Sequence, residues 1–147
     1  SVGEIIVFVV IFLYCKGFNL FNRGNTMIVR NIDDDEVNDT TYRAHGGGIA
    51  KMLLTSRELR SMLFLAHAVL EPTRELEEHI DPYEEIYFIL SGEGTMRVGD
   101  DRRKVKTGDA IWIPTGDVHG LVNESDEDLE ILVMAAYDRY PRKIPNY

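Results

Sequence analysis

The chain has 147 residues, the span of one domain of ~100–200 residues, and it is long enough to bury a core without disulfide or metal staples. Acidic residues outnumber basic ones 25 to 16 for a net charge of −9, which argues against nucleic acid or an anionic membrane surface as a partner. The single cysteine, Cys15, excludes an intramolecular disulfide framework and a multi-cysteine zinc site, and fits a reducing, cytoplasmic setting.

Residues 1–26 differ from the rest. Positions 5–15 read IIVFVVIFLYC, eleven apolar residues in a row, whereas a membrane-spanning helix needs ~20. The leading SVGE carries Glu4 rather than the positive charge of a secretory signal, and no small-residue cleavage pattern follows. The segment reads as an extension outside the motif-bearing domain: an added strand or helix, a surface anchor, or sequence upstream of the working protein. Lys16 and Arg23 against Glu4 give it one net positive charge, so the −9 total leaves −10 on residues 27–147.

From Met27 onward, short apolar runs alternate with turn chemistry. The runs cover 27–32, 49–54, 62–70, 85–90, 95–98, 110–114, 119–123 and 129–137. Between them lie GGG, EPTRE, DPYE, SGEG, GDDRR, two copies of TGD, and ESDED. This spacing predicts an all-β sandwich or barrel. Thr55–Ser61 has room for about one helical turn, and nothing alternates strand with long helix. In EIYFIL (85–90), Tyr87 and Ile89 share one face while Ile86, Phe88 and Leu90 share the other. A strand apolar on both faces needs a second cover, which predicts a homodimer.

The chemistry-bearing residues fall in two segments. In the first, His79 and Asp81 project together from an extended chain, and Glu85 returns to them after the DPYE break. An imidazole and two carboxylates facing inward are costly unless paired or bound to a cation. In the second, GDAIWIPTGDVHGLVN (108–123), Pro114 ends a strand and Gly116 allows the reversal that aims His119 back toward it.

These two segments resemble the motifs of the cupin superfamily. The first cupin motif, G-x5-H-x-H-x3-E-x6-G, is met by His79, Glu85 and Gly92, with Thr73 in place of the first Gly and Asp81 in place of the second His. The second, G-x5-P-x-G-x2-H-x3-N, is met at every fixed position by Gly108, Pro114, Gly116, His119 and Asn123. The fifteen residues between them, Glu93–Thr107, suit a single-domain cupin. The resemblance implies a double-stranded β-helix, a jelly-roll barrel over 27–147, with a divalent metal ion in its mouth. Its ligands would be His79, Glu85 and His119, with Asp81 in the fourth slot. Two imidazoles and two carboxylates suit Mn²⁺, Fe²⁺ or Ni²⁺, with Zn²⁺ also open. The other reading of Asp81 is a cap on the Asp-Pro turn.

Beyond the ligands, Tyr87 and His67 are the candidate catalytic residues. Tyr87 shares the face of Glu85, as a pocket wall and proton donor or as core packing. His67 lies in MLFLAHAVL as a hydrogen-bonded core residue or one that reaches a ligand. His45, before GGG, is either solvent-exposed or close to the mouth. Arg97 reads as a surface strand residue or a carboxylate anchor, and Trp112 as a packed one. The expected function is metal-dependent chemistry on a small, polar, oxygen-bearing molecule such as a sugar acid or keto acid, of isomerase, decarboxylase, lyase or dioxygenase type. A non-catalytic ligand-binding or structural module is the alternative.

Overall fold

The computed structural model describes residues 27–137. The apolar extension read at residues 1–26 lies outside them. Among the described residues, ten strands form two antiparallel sheets. The first, in spatial order, is β1 (Tyr42–Ala44), β2 (Gly48–Thr55), β3 (Met62–Leu70), β10 (Leu129–Ala136), β5 (Glu84–Ser91) and β8 (Ala110–Ile113). The second is β4 (Glu75–His79), β9 (His119–Val122), β6 (Glu93–Val98) and β7 (Asp101–Lys106). From β3 on, the chain crosses between the sheets after nearly every strand, which makes the barrel a jelly roll. One turn of helix, α1 (Asp35–Asn38), precedes β1 and buries Val37.

Period-2 alternation builds the core between the sheets. Along β10, Leu129, Ile131, Val133 and Ala135 are buried, and along β5 Glu85, Tyr87 and Ile89 are buried. Leu70, Leu121 and Ile113 complete an interior in which each fully buried side chain contributes roughly 1.5–3 kcal/mol. β5 lies between β10 and β8, pairing Tyr87 with Val133 on one side and with Ile111 on the other.

Three sequence expectations need correction. Residues 27–32 form no strand; Met27 and Val29 are largely exposed, and no described strand pairs with them. GDDRR (99–103) was expected to be a turn, but β7 begins at Asp101. This strand is charged at five of six positions, buries only Val105, and pairs only with β6, so ladder hydrogen bonds rather than burial define it. The acidic run at 33–36 ends within α1. Trp112 does not pack inward: it is 60% exposed, and its Nε1–H donates to Glu84 at 3.1 Å. Thr55–Ser61 does hold one turn, in which Leu59 N–H donates to Thr55 O and Glu58 caps the Thr55 N–H.

The two motifs are joined where the first begins and the second ends. Arg74 N–H closes a turn onto Glu71 O, with Pro72 and Thr73 at its centre. Thr73 has φ 63, a conformation that favours glycine. Asn123, fully buried, holds this turn: its Nδ2 donates to Leu70 O, Glu71 O and Glu127 O at 2.9, 3.2 and 2.7 Å, and its N–H donates to Arg74 O. Gly92 has φ 88, and a Cβ there would lie 2.6 Å from Asp128 O, so no other residue fits without backbone movement.

Candidate metal centre

One end of the barrel interior gathers the four residues singled out from the motifs. His79 ends β4, Asp81 sits in the turn after it, Glu85 is the second residue of β5, and His119 opens β9. His79 and His119 are register partners across β4 and β9. The β8–β9 turn is tied to the same place, since Gly116, at φ 80, donates its N–H to Asp81 O at 3.0 Å. One ligand atom from each of His79, Asp81, Glu85 and His119 lies within 4.8 Å of all the others.

Backbone carbonyls orient both imidazoles. Nδ1 of His79 lies 2.6 Å from Glu77 O, and Nδ1 of His119 lies 3.0 Å from Asp117 O. A carbonyl only accepts, so each Nδ1 carries the proton and each Nε2 lone pair turns into the site. Nε2 of His119 is 3.1 Å from Glu85 Oε2 and 3.7 Å from Asp81 Oδ2, while Nε2 of His79 is 3.3 Å from Asp81 Oδ2. Yet Nε2 of both histidines and Oε2 of Glu85 are buried without a hydrogen-bond partner. Buried polar atoms normally find one. Lone pairs converging from two nitrogens and two carboxylates, with partners lacking, fit a bound divalent cation.

The electrostatics agree. Burial pushes Glu85 above the usual carboxylate range. For His119, burial alone would lower the pKa, but Glu85 alongside, the Asp117 carbonyl and the charge of Asp81 raise it. Asp81 is raised by burial and more than offset by His79, His45 and His119, leaving it below its ordinary value.

Around the four stands a second layer. Tyr87 is buried, and its ring meets His119 edge-on with centroids 6.1 Å apart. Tyr42 and Tyr83 also feel the charges of Asp81 and Glu85. Burial and those carboxylates push Tyr42 up to about 12 and raise Tyr83 and Tyr87 further, so all three phenols keep their protons. Sequence reasoning missed Tyr42 and Tyr83. Tyr83 had a signal, since it falls midway between Asp81 and Glu85 with the same parity; Tyr42 sits in a short strand with no readable pattern. His45 comes to the mouth: its ring stacks on His79 at 3.3 Å between centroids.

His67 is not brought to the cluster. On β3, Ala66 and Ala68 face the core, and His67 turns to the outer face, where Nε2 lies 3.0 Å from Glu130 Oε2 on β10. His67 shares its face with Leu65 and Val69, and the pairing of β3 with β2 and β10 sets that face away from the core, where His67 is nonetheless buried. Arg97 likewise lies on the outer face of the smaller sheet, paired with Glu78 and donating to Gly99 O at 2.8 Å.

The family model described as a cupin domain matches residues 66–135. An oxalate-binding protein of Thermotoga maritima is 30% identical over 115 residues, covering 76% of this chain and 94% of that protein. An uncharacterised protein of Methanocaldococcus jannaschii is 43% identical over 49 residues, 33% of this chain and 39% of that one. Among solved structures, a Thermotoga maritima protein described as a predicted oxalate decarboxylase superposes with a TM-score of 0.66 at 26% identity, over 76% of this chain and all of that one.

Proposed function

The chain belongs to the cupin superfamily, and from that premise we propose that it is a metal-dependent enzyme acting on a small, oxygen-bearing molecule such as a sugar acid or keto acid. The observation that carries this reading is the set of buried, unpartnered Nε2 and Oε2 atoms of His79, His119 and Glu85 beside Asp81. Likeness to an oxalate-binding protein supports a ligand that presents oxygen atoms.

His79, Asp81, Glu85 and His119 would hold the cation, with Mn²⁺, Fe²⁺ or Ni²⁺ favoured by the nitrogen and oxygen donors. When bound, it would polarise a substrate carbonyl or carboxylate oxygen and stabilise negative charge developing there. The chain's own residues do the rest. The Glu77 and Asp117 carbonyls fix the imidazole planes. Tyr87, Tyr83 and Tyr42, kept protonated, offer O–H donors, and Tyr87 beside His119 is the candidate proton donor. The core around Tyr87, Ile113 and Leu121 excludes water from the inner side of the site.

Among the described residues, no helix is long and apolar enough to cross a membrane. The lone cysteine supports a cytoplasmic assignment. The outer face of the larger sheet, exposing Ile86, Leu90 and Trp112, supports a homodimer.

The test is elemental analysis of the purified chain, with thermal melting before and after chelation, then a panel of hydroxy and keto acids with metal restored. One metal per chain and turnover on the panel are expected, and His119→Ala should abolish metal uptake. Tight metal with no turnover would favour the binding-module alternative, and full metal occupancy in His119→Ala would sink the site.

A further inference from the structure

The charge of the donor set sets a limit on what the site binds. Asp81 and Glu85 contribute two carboxylates, and the two imidazoles enter neutral, because each Nδ1 is committed to a backbone carbonyl and each Nε2 offers a lone pair. Two negative charges cancel those of a divalent cation. Asp81 belongs to this count: its Oδ2 lies 3.3 Å from His79 Nε2 and 3.7 Å from His119 Nε2, inside the cluster rather than turned toward its own loop.

Among the described residues, the ion pairs at the two carboxylates bring no lysine or arginine to balance them. The groups that bear most on Asp81 and Glu85 are His45, His79 and His119, with Tyr42, Tyr83 and Tyr87 close by, and the ion pairs of both carboxylates are with histidines. His45 packs flat on His79, 8° from parallel at 3.3 Å, a contact suited to two neutral rings and opposed by charge if both were cations. On the outer face of the smaller sheet, Arg97 and Arg102 both pair with Glu78. What the wall offers instead is phenolic O–H, a donor without charge. A compact dianion entering here meets a neutral centre in an acidic protein, and loses the attraction that an unbalanced cation would give it.

We propose that the loaded site selects singly charged or neutral chelating ligands, such as a 2-hydroxy acid or a hydroxyketone, over compact dianions such as a dicarboxylate. This rests on the metal-centre reading above and deepens it. It also separates this chain from the ligand in its relative's name.

The experiment uses the full chain loaded with Mn²⁺, with metal content measured first. Oxalate serves as the dianion and glycolate as the monoanion, and binding is followed by calorimetry and by the electron paramagnetic resonance line of the bound Mn²⁺. Oxalate chelates free Mn²⁺ more tightly than glycolate does, so the readout is how far the protein shifts that ratio. A shift of about tenfold or more toward glycolate is expected, and Asp81→Asn should restore about tenfold in oxalate affinity while moving glycolate less than about threefold. A ratio equal to that of the free ion, or shifted toward oxalate, overturns the ligand class while leaving the metal centre standing. Less than one metal per chain overturns the metal-centre reading and this inference with it. The wild-type ratio decides the matter even where Asp81→Asn does not retain Mn²⁺.

Discussion

His45 lies face to face with His79, their ring centroids 3.3 Å apart and their planes within 8°. His45 reaches that position through a left-handed backbone, φ 41, rare for a residue with a Cβ. Its carbonyl accepts the Glu77 N–H at 2.8 Å, and the Glu77 carbonyl in turn faces His79 Nδ1. The strained residue and the ligand it covers are thus clasped to the same point of β4. Burial and the neighbouring His79 lower the His45 pKa to about 4, so the covering ring is uncharged at neutral pH.

His45 should therefore matter to metal retention without being a ligand. Replacing groups that orient a ligand typically costs ~10–100-fold in metal affinity. His45→Ala is expected to fall in that range when the protein competes with a chelator of known affinity. His45→Phe, which keeps a flat ring over His79, should recover most of the loss. Equal losses in both variants would show that the imidazole itself coordinates.

Metal uptake should release protons and strengthen as pH rises. The sign follows from Glu85 and His119, both raised above their ordinary values, Glu85 by burial and His119 by Glu85, the Asp117 carbonyl and Asp81, which together outweigh its burial. Each favours its protonated form, and each must lose that proton to bind a cation. For the metal-free fold, a carboxyl raised above its unfolded value contributes stability below that value and loses it as pH rises through the folded one. The gap in melting temperature between metal-loaded and metal-free protein should thus widen from mildly acid to mildly alkaline pH. A gap that narrows over the same range would contradict the assignment of Glu85.

Thr73 offers a stability test away from the metal. It occupies the third position of the turn closed by Arg74 N–H on Glu71 O, with φ 63. An L-residue in that region costs roughly 1–2 kcal/mol relative to glycine, partly offset by the greater freedom glycine has in the unfolded chain. Thr73→Gly should therefore stabilise by about 1 kcal/mol, or ~4 °C in Tm at constant metal. Asn123→Ala should act in the opposite direction by several kcal/mol, since it leaves the carbonyls of Leu70, Glu71 and Glu127 short of a buried donor. Urea titration of both variants measures the two effects on one scale.

These residues also mark what the sequence made legible. Strand parity and turn residues put His79, Asp81, Glu85 and His119 forward, and the resemblance to the cupin motifs made them a ligand set. The faces of β5 were readable too, since strict alternation survives in a strand buried on one side and apolar on the other. β7 was hidden because an edge strand needs no apolar face, and β1 because three residues carry no period. The position of His67 was open: its alternation was plain, but no local pattern says which face of a doubly apolar strand turns inward. Tyr42 joins the site only through the pairing of β1 with β2, a contact that spacing near the motifs does not encode.

The outer face of the larger sheet gives the last prediction. Met134, Ile86 and Trp112 lie side by side across β10, β5 and β8 as register partners. Ile86 is 40% exposed and Trp112 60% exposed, while Glu85, one residue away, faces the metal centre at 4%. An apolar row that runs out to the β8 edge of the larger sheet, on an acidic protein, suits a second copy of the same row meeting it across a twofold axis. Light scattering of the full chain at micromolar concentration should show a dimer, and Ile86→Lys should convert it to monomer. Because Ile86 and Glu85 point to opposite faces, the variant should keep its full complement of metal, so assembly and site are separable. A chain starting at Met27 should keep its metal as well, since every proposed ligand lies on the described strands and turns from His79 onward. A wild-type monomer at this concentration would refute the pairing, and an Ile86→Lys dimer would move the interface to another face.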